Sequence, residues 1–569
     1  MNQTLRKKLD HITDILWAGG VTNPVTYIEQ ISYLIYLKLL DETESERELQ
    51  GRLISNGNGK RLFPGQAERY RWSKWRFMSG DKLRNFVRDE VFPYMSTGLV
   101  KDEPQIADYF RDAVLEIVDP NVLKQVIDEL DGFNFRRLGP DEKGDVFEYL
   151  LTHLGQSALN GQFRTPRQIR AMMVEMVDPD FGDAIFDPAS GTCGFLTDSL
   201  EYILAKYSEH VQEMPIYGEE WLIKKYAEKI GAKPEKGSEL PDVDVPHDYI
   251  DELKKEIPKL QTYKKGNGDK IPNWEQLEGS LYGTDVSRQM MRIGTMNMVL
   301  HGVPKANIKR ANALSDLGGL TDDDLKRNYK IITSNPPFAG VLPEDSIRKD
   351  LPTNSKKSEL LFLGLMMKAL APGGRCAVVV PEGLLFGSTS AHIELRSKLV
   401  QDFELLAVVS LPAGVFKPYA GVKTGVLVFR KPKSEEVAQK TRKIWFYEVK
   451  NDGYDPDKIV GGGRPETPEK NDIPNLLNLW KEYKSSDFTK PPGVEAGTVL
   501  DAGNEEPKCW WATADMVLGN DYNLAAGRYK PLIAAPPLQQ DPAELIEQTL
   551  KMEKEIADGL EKLLKGMDS

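Results

Sequence analysis

Cysteine is scarce in this chain of 569 residues: Cys193, Cys376 and Cys509 stand far apart, with no CxxC pair. That excludes a disulfide scaffold and a thiolate zinc site. Histidine is equally thin, six residues without an HExxH pair, and no metal is expected. Uncharged apolar runs stop at about a dozen residues, Leu405–Phe416 being among the longest, short of the ~20 that a membrane span needs. Arg6, Lys7, Lys8, Asp10 and Asp14 crowd the first twenty positions, so these are not read as a signal peptide. A cytoplasmic protein without membrane contact is expected. Positive charge is in deficit too, with 74 Lys and Arg against 86 Asp and Glu, net −12. Chains that grip nucleic acid unaided are more often basic. If DNA is the substrate, a local basic surface or a partner must supply much of the phosphate affinity.

What is present describes a multi-domain globular protein. At roughly 150 residues per domain the length gives about three to four units, and 40% apolar with 28% charged residues fits a soluble fold. The first stretch reads as helical. Leu5, Leu9, Ile12 and Leu16 recur at helical spacing until Gly19-Gly20, and Asn23-Pro24 caps a second run through Ile28, Ile31, Ile35 and Leu39. From about residue 180, short apolar runs alternate with helical patterns: 184–186, 280–282, 330–333, 375–380, 405–410 and 424–429. That texture predicts a mostly parallel sheet with helices on both faces. A charged insertion at about 206–280 interrupts it, with helices expected over Trp221–Ile230 and Tyr249–Ile257. After Pro432 the alternation is lost. A terminal amphipathic helix carries Leu545, Met552, Ile556, Leu560, Leu563 and Met567 on one face.

Two motifs carry chemistry. Asp187-Pro188-Ala189-Ser190-Gly191-Thr192-Cys193-Gly194-Phe195 follows a strand and opens a helix. Its glycines let a ligand reach the backbone, and a helix N-terminus offers free N–H groups. The P-loop lysine is missing, which favours a nucleoside-type ligand over a triphosphate. Asn335-Pro336-Pro337-Phe338 follows another strand. The prolines stiffen the backbone, and an asparagine oxygen beside a rigid carbonyl makes two acceptors for a planar amino group, with an aromatic ring to stack on it. Between them, Asp285 closes Leu281-Tyr282-Gly283-Thr284 as a carboxylate suited to ribose hydroxyls. It lies about 100 residues past Asp187, a gap the insertion explains. Glu219-Glu220, after Ile216-Tyr217-Gly218, is a rival for the same role.

The succession of Gln162-Phe163-Arg164-Thr165-Pro166-Arg167, the glycine turn and Asn335–Phe338 resembles the N6-adenine DNA methyltransferases whose cofactor-side motif precedes that turn. More specifically it resembles the methylation (M, HsdM-type) subunits of type I restriction–modification systems. Arg292–Gly302, Gly373–Arg375 with Val380–Phe386, and Asn520–Leu524 near Arg528-Tyr529 support the likeness, which covers nearly the whole chain. The implied fold is α/β: an N-terminal helical domain (1–145), a Rossmann-like methyltransferase domain (146–435) and a C-terminal region (436–569) ending in a partner-docking helix.

The resemblance also implies a site. S-adenosylmethionine would lie across the sheet, with residues 162–167 at its methionine end, the turn residues Asp187–Thr192, Gly194 and Phe195 around it, and Asp285 on its ribose. Asn312, in Ala311-Asn312-Ala313-Leu314, stands where the family often has an acidic contact to the cofactor's adenine; the neutral side chain departs from that pattern. So do the insertion and Arg164. Asn335 and the Pro336 carbonyl would accept the amine hydrogens of an adenine flipped from DNA, with Pro337 stiffening the turn and Phe338 stacking on the base. No metal, covalent intermediate or catalytic cysteine is implied. Implied partners are DNA, a separate specificity subunit, a second methylation subunit and a restriction subunit. Two alternatives stay open: methylation of a glutamine amide in a protein, and a non-catalytic assembly module that keeps the fold.

Overall fold

Leu9, Ile12 and Leu16 are fully buried on one face of α1 (Gln3–Ala18). The helix stops at Gly20, whose φ of +93° lets Val21 N–H return to the Leu16 carbonyl at 2.9 Å and Gly20 N–H to that of Trp17 at 3.1 Å. Asn23 accepts the Val25 N–H at 2.9 Å and starts α2 (Pro24–Ile54) at a proline, where no N–H is needed. With α3 (Pro120–Asp131) these helices enclose an aromatic-rich core that includes Tyr33, Tyr36, Trp75, Tyr109 and Phe110. The computed structural model describes residues 3–54, 61–133 except 102, 165–207, 219–233, 279–316 except 302, 304 and 305, 319–417 except 339, 421–433, 441–459, 464–534 and 542–567, with scattered positions between 243 and 277.

Beyond them lies a ten-stranded sheet. Its strands in chain order are β1 (Ile185–Asp187), β2 (Leu281–Asp285), β3 (Asn307–Arg310), β4 (Tyr329–Ser334), β5 (Leu370–Pro381), β6 (Glu404–Ser410), β7 (Thr424–Arg430), β8 (Lys443–Glu448), β9 (Val494–Glu495) and β10 (Cys509–Thr513). In space they run β3-β2-β1-β4-β5-β7-β6-β8-β10-β9. β1 pairs parallel with both β2 and β4, β2 with β3 and β4 with β5, whereas β7 is antiparallel to β5 and β6. The chain therefore moves outward from β1 to β3 and then jumps back to β4. The reversal between β1 and β4 is a topological switch point, where open α/β sheets bind ligands beyond the strands' carboxyl ends.

Alternate residues feed two cores: Phe186, Ile332 and Val378 on one face, Ile185, Ile331 and Val379 on the other. α4 (Arg167–Val177) and α5 (Gly194–Tyr207) cover the second face, with α9 (Ile473–Ser485) locked to α4 by Trp480 Nε1 donating to the Met176 carbonyl at 3.0 Å. The remaining labelled helices are α6 (Glu219–Ile230), α7 (Arg288–Leu300), α8 (Ser358–Ala369) and α10 (Pro542–Met567).

One expectation needs amendment. The sheet does not stop near 435: β8 pairs parallel with β6 and β10 antiparallel with β8. A turn-rich connector as well as α9 separates β8 from β10, so the regular strand–helix alternation along the chain does not extend to them. Of the two helices expected in the insertion, one is α6; the other, Tyr249–Ile257, lies outside the described residues save Tyr249.

Candidate active site at the switch point

β1 ends on Asp187 and the chain turns at once through Pro188–Cys193 into α5. Gly191 has φ +49°, and among the described residues nothing lies within 4 Å of the place a Cβ would occupy, so bare backbone is presented there. Cys193 closes the turn at φ +61° and donates its N–H to the Ser190 carbonyl at 2.7 Å. β2 holds the turn from the side. Ser190 gives both N–H (2.9 Å) and Oγ–H (3.2 Å) to the Thr284 carbonyl, and Thr284 Oγ1 donates to the Pro188 carbonyl at 2.9 Å. Asp285 accepts the Gly191 N–H on Oδ2 at 3.1 Å and the Ser287 N–H on Oδ1 at 2.7 Å, one carboxylate joining the turn to the N-cap of α7.

From the other side comes β4. Its last residue, Ser334, donates Oγ–H to Asp187 Oδ1 at 2.6 Å, and the Ala189 N–H reaches the same oxygen at 3.0 Å. Asp187 is 1% exposed. Burial pushes its carboxyl up to about 7; the Ser334 and Ala189 hydrogen bonds pull the other way, and the Asp285 charge adds to the rise. Burial also raises Asp285, against its two backbone donors.

The Asn335 amide comes next. Its Nδ2 donates to Thr165 Oγ1 at 2.9 Å, while its Oδ1 is buried without a hydrogen-bond partner among the described residues. Thr165 is itself buried, its carbonyl held by Arg170 Nη1 at 2.8 Å, and Arg170 is paired through Nε with Asp198 at 2.8 Å. Gly194 permits that crossing, because a Cβ there would stand 2.8 Å from Arg170 Nε. The Pro337 carbonyl accepts from Ser358 Oγ at 3.1 Å, at the start of α8, and Ser358 Oγ also takes the Gly340 N–H at 2.9 Å. The Pro336 carbonyl has no partner among the described residues. Phe338, half-buried, meets Phe416 edge to face at 6.5 Å and 82°. Two acceptors, Asn335 Oδ1 and the Pro336 carbonyl, thus stand uncommitted beside a glycine turn.

The structure brings together Thr165, Asp187, Pro188, Ala189, Ser190, Gly191, Thr192, Asp285, Asn335, Pro336 and Pro337. Asn312 follows β3 next to Asp285, whose carbonyl accepts the Ala311 N–H at 3.0 Å. Its Oδ1 accepts the Leu314 N–H at 3.1 Å, so a planar ligand would meet its NH2 end. Phe195 departs from expectation: it is buried in the core beneath the sheet because it falls on the inward face of α5. So does Arg167, which is exposed and faces Glu201 of α5 at 3.7 Å. Pro166 caps α4 and is half-buried. Gln162, Phe163 and Arg164 lie outside the described residues, as do the side chains of Glu219 and Glu220.

Sequence reasoning missed Ser334 and Thr284, which hold the turn, and Asn297, which donates Nδ2 to the Thr192 carbonyl at 2.8 Å. The Arg292–Gly302 stretch was the available signal for the last. Among the described residues, no group of three or more His, Cys, Asp or Glu side chains could hold a metal.

Comparison with known proteins adds to this geometry. The N-6 DNA Methylase family model matches residues 139–227 and 263–534, and the HsdM N-terminal domain model matches 5–130. The EcoEI type I restriction enzyme methylase subunit of Escherichia coli is 27% identical over 95% of this chain and 92% of its own length. The HindI type I methylase subunit of Haemophilus influenzae is 34% identical over 68% of each chain. Among solved structures, a component of a type I R-M system complex covers 100% of this chain and 99% of its own at TM-score 0.64 and 24% identity. A modification subunit of a putative type I restriction enzyme from Vibrio vulnificus covers 91% and 93% at TM-score 0.60 and 22% identity. Both structures speak to the fold.

Proposed function

The chain belongs to the N-6 DNA methylase family, with an HsdM N-terminal domain ahead of the methylase region, and from that premise we propose that it transfers a methyl group from S-adenosylmethionine to N6 of a flipped adenine, as the methylation subunit of a type I restriction–modification complex. The observation that carries the reading is the divided state of the Asn335 amide: its NH2 is committed to Thr165, and its carbonyl oxygen is buried with no partner among the described residues.

The residues present fit the cofactor. Gly191 leaves backbone bare where a Cβ would intrude, and Asp187 and Asp285 bring two carboxyls to a crevice that would receive a cationic nucleoside. Thr165 and Pro166 would flank its methionine end, Asp187–Thr192 and Gly194 would wrap it, Asp285 would hold the ribose and Asn312 would face the adenine ring. The bound cofactor would supply a methyl group activated by a sulfonium, its C–S bond breaking to leave a neutral thioether as the new N–C bond forms.

The remaining chemistry belongs to the chain. A base buried in the stack must be extruded to reach the crevice. Asn335 Oδ1 and the Pro336 carbonyl accept its two amine hydrogens, which localises a lone pair otherwise delocalised into the ring. Pro336 and Pro337 hold the carbonyls in place, Ser358 fixes the loop from below, and Phe338 stacks on the base. As the nitrogen forms its new bond to carbon it gains positive charge, which both oxygens stabilise, and one of its protons then leaves to solvent. Catalysis is positioning plus preorganised electrostatics.

Sequence choice rests with a specificity subunit, in keeping with the net charge of −12. The helical N-terminal domain and α10 serve as docking surfaces. The test is to reconstitute the chain with its specificity subunit, follow radiolabelled methyl, and identify the labelled nucleoside. N6-methyladenine in DNA is expected, and Asn335→Ala should abolish it. Label in protein instead would favour glutamine-amide methylation, and efficient site-specific marking by the chain alone would contradict the division of labour.

A further inference from the structure

The stretch Arg292–Gly302 has no role in the chemistry above, yet it forms most of α7, a helix whose two faces belong to different parts of the molecule. Met290, Ile293, Met296 and Leu300 are part of the N-terminal domain's core. Arg292, 6% exposed, crosses to that domain as well. It pairs with Glu29 of α2, donates Nη2–H to the Arg111 carbonyl at 2.6 Å and lies 5.4 Å over the Tyr33 ring. Arg288 pairs with Asp112 at 2.5 Å.

An adjoining strip of the helix, Gly294 and Asn297, grips the glycine turn. Asn297 Nδ2 donates to the Thr192 carbonyl at 2.8 Å. A Cβ at Gly294 would stand 2.8 Å from the Gly191 carbonyl oxygen and 2.6 Å from Cys193 Sγ, so only glycine admits this approach. Asp285, just ahead of the helix, takes the Gly191 N–H. The Ser190–Gly191 and Thr192–Cys193 peptide groups are therefore held by Asp285, just ahead of α7, and by Asn297 within it, and α7 is seated in the helical domain. A rigid helix held by both neighbours carries a displacement at one contact to the other.

We propose that Asn297 and Gly294 are positioning residues that set the shape of the glycine turn for S-adenosylmethionine, and that the N-terminal domain sets the seat of α7 through Arg292 and Glu29. Strain or a partner acting on the helical domain is then felt as a change in cofactor affinity. The ligand named here rests on the function proposed above; the mechanical link does not.

The test uses the full-length chain and two readouts: equilibrium dialysis with radiolabelled S-adenosylmethionine, and amide hydrogen exchange over residues 189–196 without ligand. Asn297→Ala should weaken binding about tenfold, the scale of one lost hydrogen bond, and speed exchange at the turn. Glu29→Ala, in the helical domain, should weaken binding about threefold and speed exchange at the same peptide. Glu29→Gln keeps an acceptor for Arg292, serves if the alanine variant does not fold, and should shift both readouts in the same direction by less. Unchanged turn exchange in folded Glu29 variants would overturn the link, and wild-type affinity in Asn297→Ala would overturn the positioning role. If the wild-type chain bound no S-adenosylmethionine, the proposed function would fall while the ligand-free exchange still decided the link.

Discussion

Asn335 Nδ2 donates to Thr165 Oγ1 across 170 residues of sequence, and this bond sets which end of the amide faces the crevice. Reversed, the side chain would present a donor to an amine that is itself a donor. Thr165→Val removes the acceptor and should lower the single-turnover rate roughly 5- to 100-fold, the scale of one buried group left unpaired. Thr165→Ser, which restores the hydroxyl, should stay within a few-fold of wild type. Asn335→Ala should cost at least about 10². A fall in cofactor affinity with the rate untouched would mean that Thr165 serves the cofactor and not the amide.

The buried Asp187 carboxyl gives stability a pH dependence of known sign. Its folded value of about 7 lies above the ordinary 3.8, so the folded chain holds this proton longer than the unfolded chain. The contribution is complete below about pH 4 and is lost as pH rises through 7, at no more than about 1.4 kcal/mol per pH unit. Urea unfolding at intervals from pH 5 to 8 should show a steeper decline for wild type than for Asp187→Asn. Parallel profiles would place the titration elsewhere.

Cys193 sits in the turn, and the proposed chemistry gives its thiol no step. Burial drives its thiol, like that of Cys376, well above the ordinary range, and thiolates are the reactive form. Alkylation of the native chain read by mass spectrometry should spare both. Cys193→Ala should methylate within a few-fold of wild type in the reconstituted complex.

Along α10, Ile546, Leu550, Met552, Ile556 and Leu560 are 57–63% exposed, an apolar stripe of the kind that marks an interaction site. Ile556→Glu with Leu560→Glu should leave the unfolding midpoint unchanged and prevent co-purification with the specificity subunit. Retained association would move the docking surface to the N-terminal helices.

The motifs were legible because their chemistry is local. A glycine turn after β1 and two prolines after β4 advertise strand ends, and each stands where the chain pattern placed it. The links between them were not legible, since Ser334 to Asp187 spans 147 residues and Asn335 to Thr165 spans 170, and no local pattern specifies a distant partner. The helical start announced itself through capping residues and buried Leu9, Ile12 and Leu16. β8 and β10 did not, because β8 is buried along its length between β6 and β10, and a turn-rich connector and α9 part it from β10, so no regular strand–helix spacing announces either. Asn312 shows a third case: its place was foreseen, yet its oxygen is taken by a main-chain amide that only the folded loop reveals.

Because β1 finds one neighbour at 281–285 and the other at 329–334, the crevice has a birth order. A nascent chain still on the ribosome holds its glycine turn unsupported while the next hundred residues are made, and it acquires an amide acceptor only after Asn335 emerges. Contacts so distant along the chain close late. Until Asn335 has emerged the growing polypeptide lacks one wall of the crevice, and a ligand can brace the two strands only after that point.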